Sequence, residues 1–183
     1  MIQLNALPTP LLFFILPLFF GLDAHGQSVF EGHPVRHIGP GTMSGRVTAL
    51  TVDPTDRDII YAGTASGGLW RSTSSGTTWE PLFDEQDILS IGSVAVAPSN
   101  PDVIWAGTGE GNPRNSHTSG RGIYRSLDGG ASWSMMGLED TRTIHRIRIH
   151  PADPKTVYVA AMGSAWGPNP ERGVFRTRDG GAT

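Results

Sequence analysis

Residues 126–133 read Ser126-Leu127-Asp128-Gly129-Gly130-Ala131-Ser132-Trp133, the strongest local structural signal in the chain. Asp followed by two glycines signals a tight turn. Glycine supplies positive φ, and the Asp carboxylate can accept hydrogen bonds from N–H groups of its own turn. The closing Trp is a large apolar ring suited to packing beneath a hairpin. The pattern returns as Thr177-Arg178-Asp179-Gly180-Gly181-Ala182-Thr183. It occurs in degenerate form as Ser72-Thr73-Ser74-Ser75-Gly76-Thr77-Thr78-Trp79, with Ser74 at the Asp position. One such turn is a weak signal; three in register are a strong one.

Outward from each turn the sequence repeats. Upstream lie alternating runs ending in Pro54, Pro98 and Pro151, each followed seven residues later by an aromatic: Tyr61, Trp105 and Tyr158. Then come the aromatic–Arg pairs Trp70-Arg71, Tyr124-Arg125 and Phe175-Arg176. Successive prolines are 44 and 53 residues apart. Such a period, with four short strands per unit, is the signature of β-propeller blades. The first strand of each unit alternates, with Leu50, Val52, Val94, Val96, Ile147 and Ile149 on one face. No window sustains a 3.6-residue apolar period, so the expected class is all-β: blades of four antiparallel strands, about three of them, at about 44–83, 90–138 and 143–183. Thr183 falls one residue short of the expected Trp, so the chain is expected to be the N-terminal part of a larger propeller. The six aromatics at the repeat positions are expected to be buried.

Composition agrees. Gly is 24 and Pro 14 of 183 residues, while 17% of residues are charged and 38% hydrophobic, too apolar for a disordered chain. Cysteine is absent, which excludes disulfides, thiolate metal sites and a cysteine nucleophile. The net charge of −3 comes with no basic stripe, so nucleic acid is not an expected partner. The segment before the repeat reads differently. Residues 11–22, LLFFILPLFFGL, are too short to span a membrane and have the length of a signal-peptide core. Ala24 and Gly26 supply small residues before Gln27. A signal peptide at 1–26, an extended lead-in at 27–43 and a secreted, periplasmic or cell-surface location are expected.

The turn pattern is that of the Asp-box, or BNR repeat. From about His37 onward the chain resembles Asp-box propellers of the sortilin (VPS10) type and their secreted bacterial relatives. That resemblance rests also on His37-Ile38-Gly39-Pro40, Met43-Ser44-Gly45-Arg46-Val47 and Gly63-Thr64-Ala65-Ser66-Gly67-Gly68. It implies the fold; its members include receptors and glycosidases. Ser126, Asp128, Gly130, Trp133, Asp179, Gly181, Ser74 and Trp79 then take structural Asp-box roles. Xyloglucanase-like members place a catalytic Asp in a first-blade Thr-Asp-x-Gly-Gly segment. Here Ala65 stands at that position, which argues against that hydrolase.

Binding is expected on the rim that carries the second-to-third and fourth-to-first strand connections, because these loops vary while the opposite turns repeat. The longest and most polar loop offers Glu110, Asn112, Arg114, Asn115 and His117, and the third blade offers Trp166, which reads equally as a sugar-stacking platform or as a ring packed between blades. Glu110 is read as a solvated loop acid, and Arg146, Arg148 and His150 as satisfied at an inter-blade contact. Asp128 and Asp179 lack the neighbouring ligands of a calcium loop, and His33 and His37 are separated by Pro34, so no metal and no cofactor is expected. Two functional classes stay open. One is a non-catalytic propeller recognising a peptide, protein or glycan. The alternative is a secreted glycoside hydrolase with carboxylates partly beyond residue 183. The remaining blades of the same chain are a further expected partner.

Overall fold

The computed structural model describes residues 46–112 and 117–183. The expected leader, the lead-in segment, Arg114 and Asn115 lie outside the described residues.

Among the described residues there are only strands, in three antiparallel sheets. The first sheet is β1 (Val47–Val52), β2 (Ile60–Thr64), β3 (Leu69–Ser72) and β4 (Glu80–Pro81), in that order. The second is β5 (Ile91–Ala97), β6 (Asn100–Thr108), β7 (Ile123–Ser126) and β8 (Ser134–Met135). The third holds β9 (Ile144–His150), β10 (Asp153–Ala161) and β11 (Gly173–Thr177). Each sheet runs as a meander, so neighbours in sequence are neighbours in space. Pro54, Pro98 and Pro151 sit just past β1, β5 and β9, where a missing N–H costs no ladder bond.

The register fixes the repeat. Trp70 pairs with Ala62, Tyr124 with Ala106 and Phe175 with Val159. Their neighbours pair as Arg71 with Tyr61, Arg125 with Trp105 and Arg176 with Tyr158. The aromatics therefore occupy equivalent places in all three sheets. Between the first two sheets, Tyr61, Leu69 and Phe83 meet Ile91, Val94 and Val96. Between the second and third, Trp105 and Ile123 meet Ile144 and Ile147. Each such side chain contributes about 1.5–3 kcal/mol when fully buried. Close approach is set by glycine: a Cβ on Gly63 would stand 2.5 Å from Ile91 Cγ2, and one on Gly107 2.4 Å from Ile144 Cγ2.

Polar latches repeat with the same period. Arg71 Nη1 donates to the Gly129 carbonyl of the next sheet at 2.8 Å, and Arg125 Nη1 donates to Gly180. Trp133 Nε1 donates back across the same junction to the Leu82 carbonyl at 2.8 Å.

Two expectations change, and the one-faced apolar pattern of the first strand is covered only in the second and third sheets. Tyr158 is 43% exposed and Phe175 half-buried, because no sheet follows the third among the described residues. Leu50 and Val52 are exposed for the mirror reason: their counterparts Val94 and Val96 face the preceding sheet, and none precedes the first among the described residues. Arg146, Arg148 and His150 are exposed on β9 rather than satisfied between sheets, since their equivalents Ser93, Ala95 and Ala97 are small enough to be covered and they are not.

Candidate functional site

The repeated turns define one rim. Ser126 Oγ accepts the Gly130 N–H at 2.8 Å and donates to Asp128 Oδ1 at 2.7 Å, while Asp128 also accepts the Ser132 N–H at 2.9 Å. Thr177 and Asp179 reproduce this, with Gly181 N–H to Thr177 Oγ1 at 2.8 Å and Thr183 N–H to Asp179 at 3.0 Å. In the first sheet Ser72 takes the Gly76 N–H at 2.8 Å, and the Ser74 hydroxyl accepts the Thr78 N–H at 2.9 Å in place of a carboxylate. Ser75 there holds φ 52° where the other copies have glycine. Trp79 and Trp133 each donate Nε1 to the second-glycine carbonyl, Gly76 at 3.0 Å and Gly130 at 3.1 Å. Hydroxyl donors, Ser132 first, hold the Asp128 carboxyl down at about 2. Thr183 does the same for Asp179, whose carboxyl also lies well below the ordinary range. Ser75, Gly129 and Gly180 N–H groups bond Asp58, Asp102 and Lys155 carbonyls, so these turns and the first hairpins share one edge. The Ser74, Ser126, Ser132, Thr177 and Thr183 hydroxyls and the Asp carboxylates of these turns are engaged within the turns themselves.

The opposite rim carries the unequal loops. Thr64 closes the first one: its hydroxyl accepts the Gly67 N–H at 2.8 Å and donates to the Gly68 carbonyl at 2.9 Å. Thr108 makes the same pair of bonds with the Arg121 N–H and the Gly122 carbonyl, both at 2.7 Å. The segment between Thr108 and Arg121 is thus an insertion into a common turn. Ala65 is buried in the short version, and its N–H donates to the Arg46 carbonyl.

Glu110 lies in this insertion and is fully buried, against its reading as a solvated acid. Arg46 Nε donates to Glu110 Oε1 at 2.7 Å and Arg46 Nη2 closes on the same oxygen. Glu110 Oε2 has no partner. The charge is buried because the insertion folds inward: the Glu110 N–H bonds the Thr118 carbonyl at 3.0 Å, and a Cβ on Gly111 would strike the His145 ring. His117 is half-buried with Nε2 unpartnered, and Asn112 is exposed. Trp166 is 73% exposed, so it does not pack between sheets. Its loop is braced by Ser164 Oγ accepting the Trp166 N–H, by Asn169 Nδ2 to the Ser164 carbonyl at 3.1 Å, and by Arg172 Nε to the Met162 carbonyl at 3.0 Å.

Beside these loops opens a polar cleft of about 710 Å³, lined by Arg121, Glu139, Asp140, Arg142, Ser164 and Glu171 among others. Arg121 and Glu139 pair at 3.2 Å with both more than half exposed, so the pair adds little stability and leaves both groups reachable. Carboxylates, guanidinium groups and a hydroxyl on one concave surface suit a ligand rich in hydroxyls or amides. Glu139, Asp140 and Arg142 belong to a short connection whose sequence carries no motif. Among the described residues no cluster of acids and histidines could hold a metal ion.

No protein-family model matches the chain. The xyloglucanase Xgh74A of Acetivibrio thermocellus is 36% identical over 111 residues, which is 51% of this chain and 13% of that protein. The structure of an ancestral GH74 enzyme matches with a TM-score of 0.63 and 21% identity over 80% of this chain and 18% of that one. YCF48 bound to D1 peptide matches with a TM-score of 0.53 and 18% identity over 80% of this chain and 41% of that one. The chain thus spans about an eighth of the length of the curated xyloglucanase it resembles. Three consecutive sheets of a β-propeller, one rim uniform and the other variable, are what these residues build.

Proposed function

We propose that this chain is part of a carbohydrate-active propeller of the glycoside-hydrolase type, acting outside the cytoplasm, and that its variable rim holds glycan. The 36% identity to a xyloglucanase carries the reading. The polar cleft beside the braced, exposed Trp166 supports it, since an aromatic face against a sugar ring with polar groups at its edge is a common way to hold a hydrated ligand. Trp166 is the stacking platform; Asn112 and His117, with Arg114 and Asn115 of the same loop, extend the contact. The two Ser/Thr-x-Asp-Gly-Gly turns favour a place among Asp-box propellers, of which the sortilin type is one. The apolar run at 11–22 supports export.

The test uses the full-length protein with xyloglucan and other β-glucans, reading binding by calorimetry and hydrolysis by release of reducing ends. Trp166→Ala is expected to weaken glycan binding about fivefold, from a stacking contribution of about 1 kcal/mol. Its melting temperature should stay put, because the ring is exposed. No binding to any glycan would sink the proposal. A second reading, a non-catalytic propeller for peptides, is favoured by Ala65 at the position of the family's catalytic Asp and by likeness to a peptide-bound propeller. Binding without reducing-end release would favour it.

A further inference from the structure

The innermost strands of the three sheets lie side by side, β1 against β5 and β5 against β9. Between them is a small pocket of about 160 Å³, the volume of roughly five water molecules. Thr48, Ser93, His145, Arg146 and Arg148 contribute to its lining, and no carboxylate does. The composition is particular to the third sheet. Thr48 and Gly92 stand where His145 does, Ala49 and Ser93 where Arg146 does, and Thr51 and Ala95 where Arg148 does.

The free groups here are donors. Arg146 has no carboxylate partner among the described residues, and Arg148 spends one N–H on the Ile147 carbonyl at 3.2 Å. Ser93 Oγ accepts the Ile147 N–H at 3.1 Å, which leaves its own O–H to give. Glu110, in the loop whose Gly111 lies against His145, is already closed on Arg46. Two guanidinium groups and a hydroxyl lining one pocket that holds no carboxylate suit a planar anion, the ligand arginine serves best.

We propose that this pocket binds the carboxylate of a uronic acid residue in the glycan ligand. The proposal rests on the carbohydrate reading above and adds to it an acidic sugar as part of the ligand. Arg146 and Arg148 hold the carboxylate, Ser93 donates to it, and Thr48 meets the ring hydroxyls.

The experiment measures binding of oligogalacturonate, a neutral cello-oligosaccharide and a tetra-aspartate peptide to the full chain by calorimetry, at low and physiological salt. The wild type is compared with Arg146→Gln/Arg148→Gln. Both side chains are exposed, so the double variant should keep the wild-type melting curve, and Arg146→Lys/Arg148→Lys serves as a second, charge-conserving variant. The expected result is oligogalacturonate binding that weakens with salt and falls at least tenfold in the Gln variant, with partial recovery in the Lys variant. Neutral-sugar binding should be the same in all three proteins. Equal oligogalacturonate affinity in wild type and Gln variant overturns the proposal while leaving the carbohydrate reading intact. Tetra-aspartate binding as tightly, with the same loss, overturns the sugar assignment in favour of an acidic peptide. Failure of every glycan to bind overturns both.

Discussion

Gly107→Ala tests the packing rule on which the stack of sheets depends. A methyl group there would stand 2.4 Å from Ile144 Cγ2, 2.8 Å from Ile144 Cβ and 3.2 Å from Ile147 Cδ1. Ordinary carbon contacts lie near 3.5–4.0 Å, so the neighbouring sheet must retreat by about 1 Å. It has little room to do so, because Ile144 and Ile147 are both fully buried and packed with Val157 and Val159. Overpacking of this kind costs about 1–3 kcal/mol. Replacing glycine by alanine in a strand returns about 0.5–1 kcal/mol of backbone entropy and propensity. The net expectation is a loss of up to about 2.5 kcal/mol. Gly173→Ala, also in a strand, is the control: its new methyl would meet only Phe175, at 3.9 Å, so that variant should gain the backbone term alone. At about 2–4 °C per kcal/mol for a chain of this size, the two variants should melt several degrees apart, Gly107→Ala lower. Circular dichroism melts of the intact protein decide it. If Gly107→Ala melts at or above Gly173→Ala, the inter-sheet distance is not set by glycine and the argument is wrong.

Three other outcomes follow from the geometry. Glu110→Gln should lower stability by about 1–3 kcal/mol in urea titration, because the Arg46 pair is lost and a buried site keeps an unmatched polar group; an unchanged midpoint would place Glu110 in solvent after all. Asp128 ionises at about 2 when folded against an ordinary value of 3.8, so its stabilising carboxylate is fully present above about pH 4 and is lost as pH falls towards 2. Asp128→Asn should therefore flatten the melting temperature between pH 4 and 2, and Asp179, shifted the same way, should account for part of what slope remains. Trp133→Phe keeps a ring edge-on to Phe83 at a place where the centroids are now 5.1 Å apart, but takes the donor from the Leu82 carbonyl. It should cost about 1 kcal/mol with a near-native far-ultraviolet circular dichroism spectrum, and a loss several times larger would mean the ring, not the bond, was misjudged.

Much of the fold was legible because it is written locally. The spacing from Pro54, Pro98 and Pro151 to Tyr61, Trp105 and Tyr158 gave the register, and the glycine turns gave the hairpins. What a strand faces is not local. Tyr61 and Tyr158 read alike, yet one is 2% and the other 43% exposed, because burial depends on the next sheet and not on the strand itself. The rim was harder. Glu110 sits among glycines and polar residues and reads as solvated; only the fold shows that its loop turns inward onto Arg46, 64 positions earlier. The cleft acids Glu139 and Asp140 follow Leu138 in a stretch with no periodicity, so nothing but the assembled loops marks them.

The arginine latches give the stack a direction. Both junctions join an arginine of the earlier sheet to a glycine carbonyl of the later one, and at the first of them a tryptophan of the later sheet also donates to a carbonyl of the earlier one. The two sides of a sheet are therefore unlike, as plug and socket are unlike. Inserting or deleting one whole unit leaves every plug with a socket, whereas a cut through the middle of a unit strands a guanidinium on one side and a carbonyl on the other. The whole repeat, and not the single strand, is therefore the unit in which length can change without altering the junction chemistry.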